Sequence, residues 1–181
     1  MVDIGEDDPD YAERISASAE ATRNAWGATL EEMEAMAEEL ADEGWETVTI
    51  AAGHTAPENP NSGEGDRFGL THVVPDNKAE EFEALFEPGA FTRYEVYRND
   101  ADGREFVLTV LYDDDREAAI FVAGSYELRH AGGCVSAAKE AGKMYTHVQT
   151  LDGTHLGSFE HDDYEMFFPH ADRISNWDVN Y

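Results

Sequence analysis

The clearest alternation of apolar and polar positions lies in the middle of the chain. Val48, Ile50 and Ala52 alternate with Thr47 and Thr49, the period of a half-buried strand. Strand signals recur at Phe68–Val74, Phe91–Arg98 and Arg104–Tyr112, the last two joined around Asn99–Gly103. Ala118–Ala123 is apolar almost throughout, which predicts a central strand covered on both faces. Helical spacing replaces the period of two in three places. Pro75–Asp76 opens a helix through Phe82, Leu85 and Phe86, and Leu128, Ala131, Val135 and Ala138 mark another over Glu127–Gly142. Before Trp45, Asp8–Pro9 starts a helix through Tyr11, Ile15, Ala19 and Thr22 toward Trp26. Thr29-Leu30-Glu31-Glu32 has the capping-box pattern and reads as a second start, its stripe of Leu30, Met33, Ala37 and Leu40 ending at Gly44.

These elements predict an α+β fold: an N-terminal helical hairpin over residues 1–44, packed on a sheet domain over residues 45–181. The order strand-helix-strand-strand occurs once before Tyr112 and again over Ala118–His161, with no residue correspondence between the two. Two such units side by side give one antiparallel-rich sheet with helices on one face. Its other face is then solvated or a ligand cleft. The segment 53–66, with Pro57, Pro60, Gly63 and Gly65, is long for a structureless loop in a compact domain and is expected to serve as a lid or to be mobile. Asp152–Gly153 signals a tight type I′ hairpin turn.

Charge changes this picture more than composition does. Forty Asp and Glu face twelve Lys and Arg, for a formal net charge of -28 in 181 residues. Repulsion on that scale opposes compaction in dilute buffer and is screened at molar salt, where the Debye length is about 3 Å. The acids are interleaved with aromatic and branched residues from end to end, which excludes a disordered acidic tail. The chain therefore reads as a protein of a halophile's salt-loaded cytoplasm. A phosphate backbone needs a concentrated basic surface, so no nucleic-acid partner is expected. The N-terminus shows no secretory signal, and the apolar run 118–124 is too short to span a membrane.

Two stretches, Arg67-Phe68-Gly69-Leu70-Thr71-His72-Val73-Val74-Pro75-Asp76 and Thr146-His147-Val148-Gln149-Thr150-Leu151-Asp152-Gly153-Thr154, stand out in so acidic a chain. With them the chain resembles uncharacterised acidic proteins of haloarchaea. That resemblance implies a habitat and lends no activity, cofactor or catalytic residue.

Candidate chemistry is sparse. His130 and Cys134 are four apart on the predicted helix, a spacing that sets a thiol beside an imidazole, yet Cys134 also fits the apolar stripe as a packed thiol. One cysteine excludes an internal disulfide. His147 and His155 flank the Asp152–Gly153 turn. A two-residue turn sets His147 opposite Ser158 and turns the two histidines to opposite faces; a three-residue turn with a bulge leaves them about 13 Å apart. Neither serves a metal, and no metal or cofactor is expected. Arg129, Lys139 and Lys143 form the one stretch of local positive charge, with Lys139 and Lys143 on one helix face near its C-terminus. They are the binding candidates, for an acidic protein partner or a second copy of this chain. No catalytic set emerges, so a non-enzymatic binding or interaction module is the expectation. The alternative is a small-molecule sensor or enzyme using the open sheet face.

Overall fold

The computed structural model describes residues 9–60, 67–87 and 89–171. It is α+β: α1 (Pro9–Asp42), β1 (Glu46–Ala51), β2 (His54–Glu58), β3 (Gly69–Val73), α2 (Asp76–Phe86), β4 (Arg93–Ala101), β5 (Arg104–Asp113), β6 (Ala118–Glu127), α3 (Gly132–Ala141), β7 (Met144–Gln149) and β8 (His155–His161). Short 3-10 turns occupy Leu128–His130 and Tyr164–Phe167. The strands form two four-stranded mixed sheets, ordered β1-β6-β5-β4 and β2-β3-β7-β8.

The expected N-terminal hairpin is instead one helix of 34 residues. Thr29 does not cap a second start; its hydroxyl donates back to the Ala25 carbonyl at 2.8 Å. Ala25, Thr29, Met33 and Ala37, four residues apart, are all buried, and Met33 and Ala37 pack on Leu108, Val110, Tyr112 and Phe121 of the first sheet. That stripe runs straight through the expected break. Burying it outweighs the roughly 1 kcal/mol that Gly27 costs in a helix interior. The cap expected at Asp8 lies outside the described residues.

One sheet was expected and two are found, because each unit lends its first strand to the other. β3 leaves its own hairpin β4–β5 and pairs in parallel with β7, while β6 pairs antiparallel with β5. The first sheet is thus covered on both faces. Phe106, Leu108, Val110 and Tyr112 of β5 point toward α1 or its flank, and Val107 and Leu111 point toward the second sheet. β6 is buried along Ala118–Gly124, as its apolar run predicts. α2 and α3 fill opposite ends of the layer between the sheets, each within its own apolar cluster.

The stretch 53–66 is not simply a loop. Its first part is β2, paired with β3 from His54↔Val73 to Glu58↔Gly69. Residues 61–66, the second part of the expected lid, lie outside the described residues. No described helix is long and apolar enough to cross a membrane.

Candidate ligand cavity

The β4–β5 hairpin turns at Asp102–Gly103, both with positive φ (52° and 79°), the geometry of a type I′ turn. Its tip is pinned from two sides. Ser18 of α1 donates to the Asp102 carboxylate, and the Leu128 amide donates to the Gly103 carbonyl at 2.9 Å. On either side of Gly103, Arg104 and Leu128 lie two adjoining depressions, of about 530 and 630 Å³. Arg98, Glu105, Met166 and His170 line the first; Thr22, Glu127 and Arg129 line the second.

Glu105 gives the first depression its chemistry. On β5 it continues the face of Val107 toward the second sheet, so alternation drives a carboxyl inward just past the last apolar position. Its side chain is 3% exposed. Oε1 lies 3.4 Å from Arg98 Nη1, while Oε2 is buried without a partner. Burial pushes its pKa up to about 7, opposed by Arg98 and reinforced by Asp100. A carboxyl poised near neutrality can donate or accept a hydrogen bond. Around it, Arg104 donates from Nε to Ser125 Oγ at 3.1 Å and lies 3.8 Å from Glu127. Arg129 donates to Glu127 at 2.8 Å, which holds that exposed carboxyl below its usual range. Arg98 beside the half-neutral Glu105 in the first depression, and Arg104 and Arg129 sharing Glu127 at the second, set guanidinium donors in both, alongside the acids Asp100 and Asp102.

The sequence-predicted residues are dispersed. α3 begins at Gly132, so His130 belongs to the preceding turn, where it lies 3.4 Å from Glu127 and is 60% exposed. It is not one helical turn from Cys134, and the Cys-His pair does not form. Cys134 is 1% exposed in the apolar cluster with Val135 and Ala138, and burial pushes its thiol up to about 12. Lys139 is exposed in the last turn of α3. Lys143 is off the helix, because Gly142 adopts a left-handed C-cap (φ 70°) and ends it. Its ammonium instead lies 3.2 Å from Glu160, above the Tyr145 ring. Lys139 and Lys143 therefore do not share a helix face. Of the three basic candidates, only Arg129 lines a depression, the second one. The predicted hairpin already brings Arg98, Arg104 and Glu105 near one another, but nothing in the sequence shows that Glu105 is buried.

Histidines gather in the second sheet, on both of its faces. Thr55, His72, Thr146 and His161 face the first sheet, and Thr55 and His72 share a 2.9 Å hydrogen bond. Burial pushes His72 down to about 3 and His161 to about 4, so both are neutral. They are 0% and 1% exposed and line neither depression. His147 and His155 lie on the opposite face. His147 stands opposite Ser158 as predicted, but a bulge at Val148/Gln149 turns His155 to the same face, and the two rings are 5.9 Å apart. The expected separation of about 13 Å counted four residues along the hairpin, but His155 pairs with Gln149, which is only two residues from His147, roughly 7 Å along the strand. Among the described residues, no group of three or more His, Cys, Asp or Glu is placed to hold a metal ion.

A family model matches residues 12–169, nearly the whole described chain. The chain belongs to the family of unknown function DUF7529. No curated protein and no solved structure matches it. Within DUF7529 the cavity therefore has no assigned ligand, and its chemistry rests on the side chains that line it. The matched range takes in Arg98, Arg104, Glu105, Arg129 and Met166, and ends one residue before His170.

Proposed function

We propose that this DUF7529 protein holds a small organic anion in the cavity beside the β4–β5 turn, in the salt-loaded cytoplasm of a halophile. The observation that carries this reading is Glu105, a carboxyl 3% exposed whose Oε2 has no partner, set among arginines in a cavity. Buried polar groups without partners are rare and cost about 1–3 kcal/mol each, so a ligand group that satisfies one gains affinity. A bound carboxylate can accept from Arg98 and Arg104 and also from protonated Glu105. The net charge of -28 supports the habitat, since such a chain gains from screening. A protein-docking surface centred on Lys139 and Lys143 is less well supported, because Lys143 is engaged by Glu160.

The test is a titration of the isotope-labelled chain in molar KCl with citrate, glutamate and inorganic phosphate, followed by amide chemical shifts. Saturable changes confined to the neighbourhood of Arg98, Arg104 and Glu105 are expected with one of them. Arg98→Gln should weaken binding by ~tenfold or more, the loss of one charge-assisted contact. Changes spread over the surface without saturation for all three probes would overturn the reading.

A further inference from the structure

On the face of the second sheet turned away from the first, four side chains and one carbonyl form a single file. Arg67 Nη1 is 3.0 Å from His155 Nδ1, His155 Nε2 is 3.0 Å from Ser158 Oγ, Ser158 Oγ is 2.7 Å from His147 Nδ1, and His147 Nε2 is 2.8 Å from the Phe68 carbonyl oxygen. The two ends fix every proton between them. A guanidinium only donates, so His155 Nδ1 accepts and its proton sits on Nε2, which donates to Ser158. A carbonyl only accepts, so His147 carries its proton on Nε2 and presents a bare Nδ1. The Ser158 hydroxyl must then donate to His147. Burial pushes His147 down to about 4, so it is an unprotonated acceptor at neutral pH. Ser158 is exposed, and its second lone pair is free of the file. The Tyr145 ring stacks beside His147 at 5.7 Å and 15°, and walls one side.

We infer that Ser158 is a nucleophile activated by His147, and that this face accepts the acyl group of a small activated ester. A serine hydroxyl is a poor nucleophile unless an adjacent base takes its proton, and here the base is aimed by a backbone carbonyl. As Ser158 Oγ bonds to the ester's carbonyl carbon, its proton passes to His147 Nδ1. When the carbon–oxygen bond to the leaving group breaks, that proton passes to the departing alkoxide. The products are an acyl ester on Ser158 and the free alcohol, and water attacks the ester by the reverse path to release the acid. His155 and Arg67 are positioning residues, which hold Ser158 Oγ toward His147. This site is separate from the cavity at Glu105, and its success or failure is independent of anion binding there.

The experiment treats the full chain with p-nitrophenyl acetate in molar KCl and reads intact mass, peptide maps and p-nitrophenolate release. The expected result is one acetyl group on Ser158, none in Ser158→Ala, and an acylation rate ~10²-fold lower in His147→Gln, the lower range of general-base assistance. The rate should be flat from about pH 5 to pH 8, because His147 protonates only near about 4; a base with an ordinary imidazole value would lose its activity across the lower half of that range. Long-range proton–nitrogen spectra of the unmodified chain add a reading that needs no variant: both His147 and His155 should be the Nε2–H tautomer. Absence of both Ser158 acetylation and p-nitrophenolate release faster than in Ser158→Ala, an undiminished rate in folded His147→Gln, or an Nδ1–H tautomer at either histidine would overturn the inference.

Discussion

Replacing Glu105 with glutamine tests the cavity's central carboxyl through stability rather than binding. Its ordinary value is 4.5 and its value in the fold is about 7. A carboxyl raised by folding prefers its proton in the folded state, so its ionisation opposes folding. Below about 4.5 it is protonated in both states and contributes no such penalty. As pH rises from there through about 7 the unfolded chain ionises first, and stability falls until the folded carboxyl has ionised too. Each decade between the two values is worth about 1.4 kcal/mol, so the full loss is of order 3 kcal/mol. The Glu105→Gln side chain keeps the shape and cannot ionise. It forfeits the ion pair with Arg98, but that is a nearly constant cost once the wild-type carboxyl has ionised. The variant should therefore gain on wild type by up to about 3 kcal/mol between pH 4.5 and pH 8, or roughly 6–12 °C in Tm for a chain of this size. Urea unfolding in molar KCl, followed by tryptophan fluorescence, measures the difference at both values. Urea leaves ionic strength unchanged, and the other carboxylates cancel between variant and wild type. Salt screens the Asp100 repulsion but not the burial, which is the larger cause. An equal stability difference at the two pH values would refute the reasoning. So would a variant that loses ground as pH rises, since Glu105 would then ionise as an ordinary paired acid.

Three further outcomes follow from single features. A Cβ at Gly124 would lie 2.2 Å from Thr55 Oγ1 and 2.7 Å from His72 Nδ1, so Gly124→Ala should destabilise by about 2–4 kcal/mol. Combining it with Thr55→Ala in a urea double-mutant cycle should cost less than the sum, and strict additivity would show that the two sheets do not meet there. Cys134 should resist a thiol reagent in the native chain and react at once in guanidinium, and fast native labelling that responds to His130→Ala would restore the rejected pair. Circular dichroism should show cooperative folding in molar KCl and marked loss of structure in dilute buffer, whereas unchanged stability across the salt series would remove the halophilic reading.

Local pattern reached some features because a single element contains their cause. α2 over Asp76–Phe86, the doubly covered strand β6 and the packed thiol of Cys134 all follow from spacing within a few residues. The charge of -28 is likewise a property of the chain before it folds. The two Asp-Gly turns show where this ends. Asp102–Gly103 makes the two-residue turn, whereas Asp152 uses its carboxylate to accept from the Thr154 amide at 3.1 Å and closes a longer loop. The same dipeptide took two geometries, decided by a hydroxyl and an amide nearby. α1 stayed whole because the sheet beneath it rewards an unbroken stripe of Ala25, Thr29, Met33 and Ala37, a gain no cap signal reports. Periodicity states which face of a strand is buried but not what buries it, so the exchange of β3 and β6 between units was invisible. Glu105 is one acid among forty in the sequence. Only the fold, which sets Leu128, Met166 and Pro169 beside the β4–β5 hairpin, removes water from it, and desolvation, not residue type, makes it a different acid from the rest.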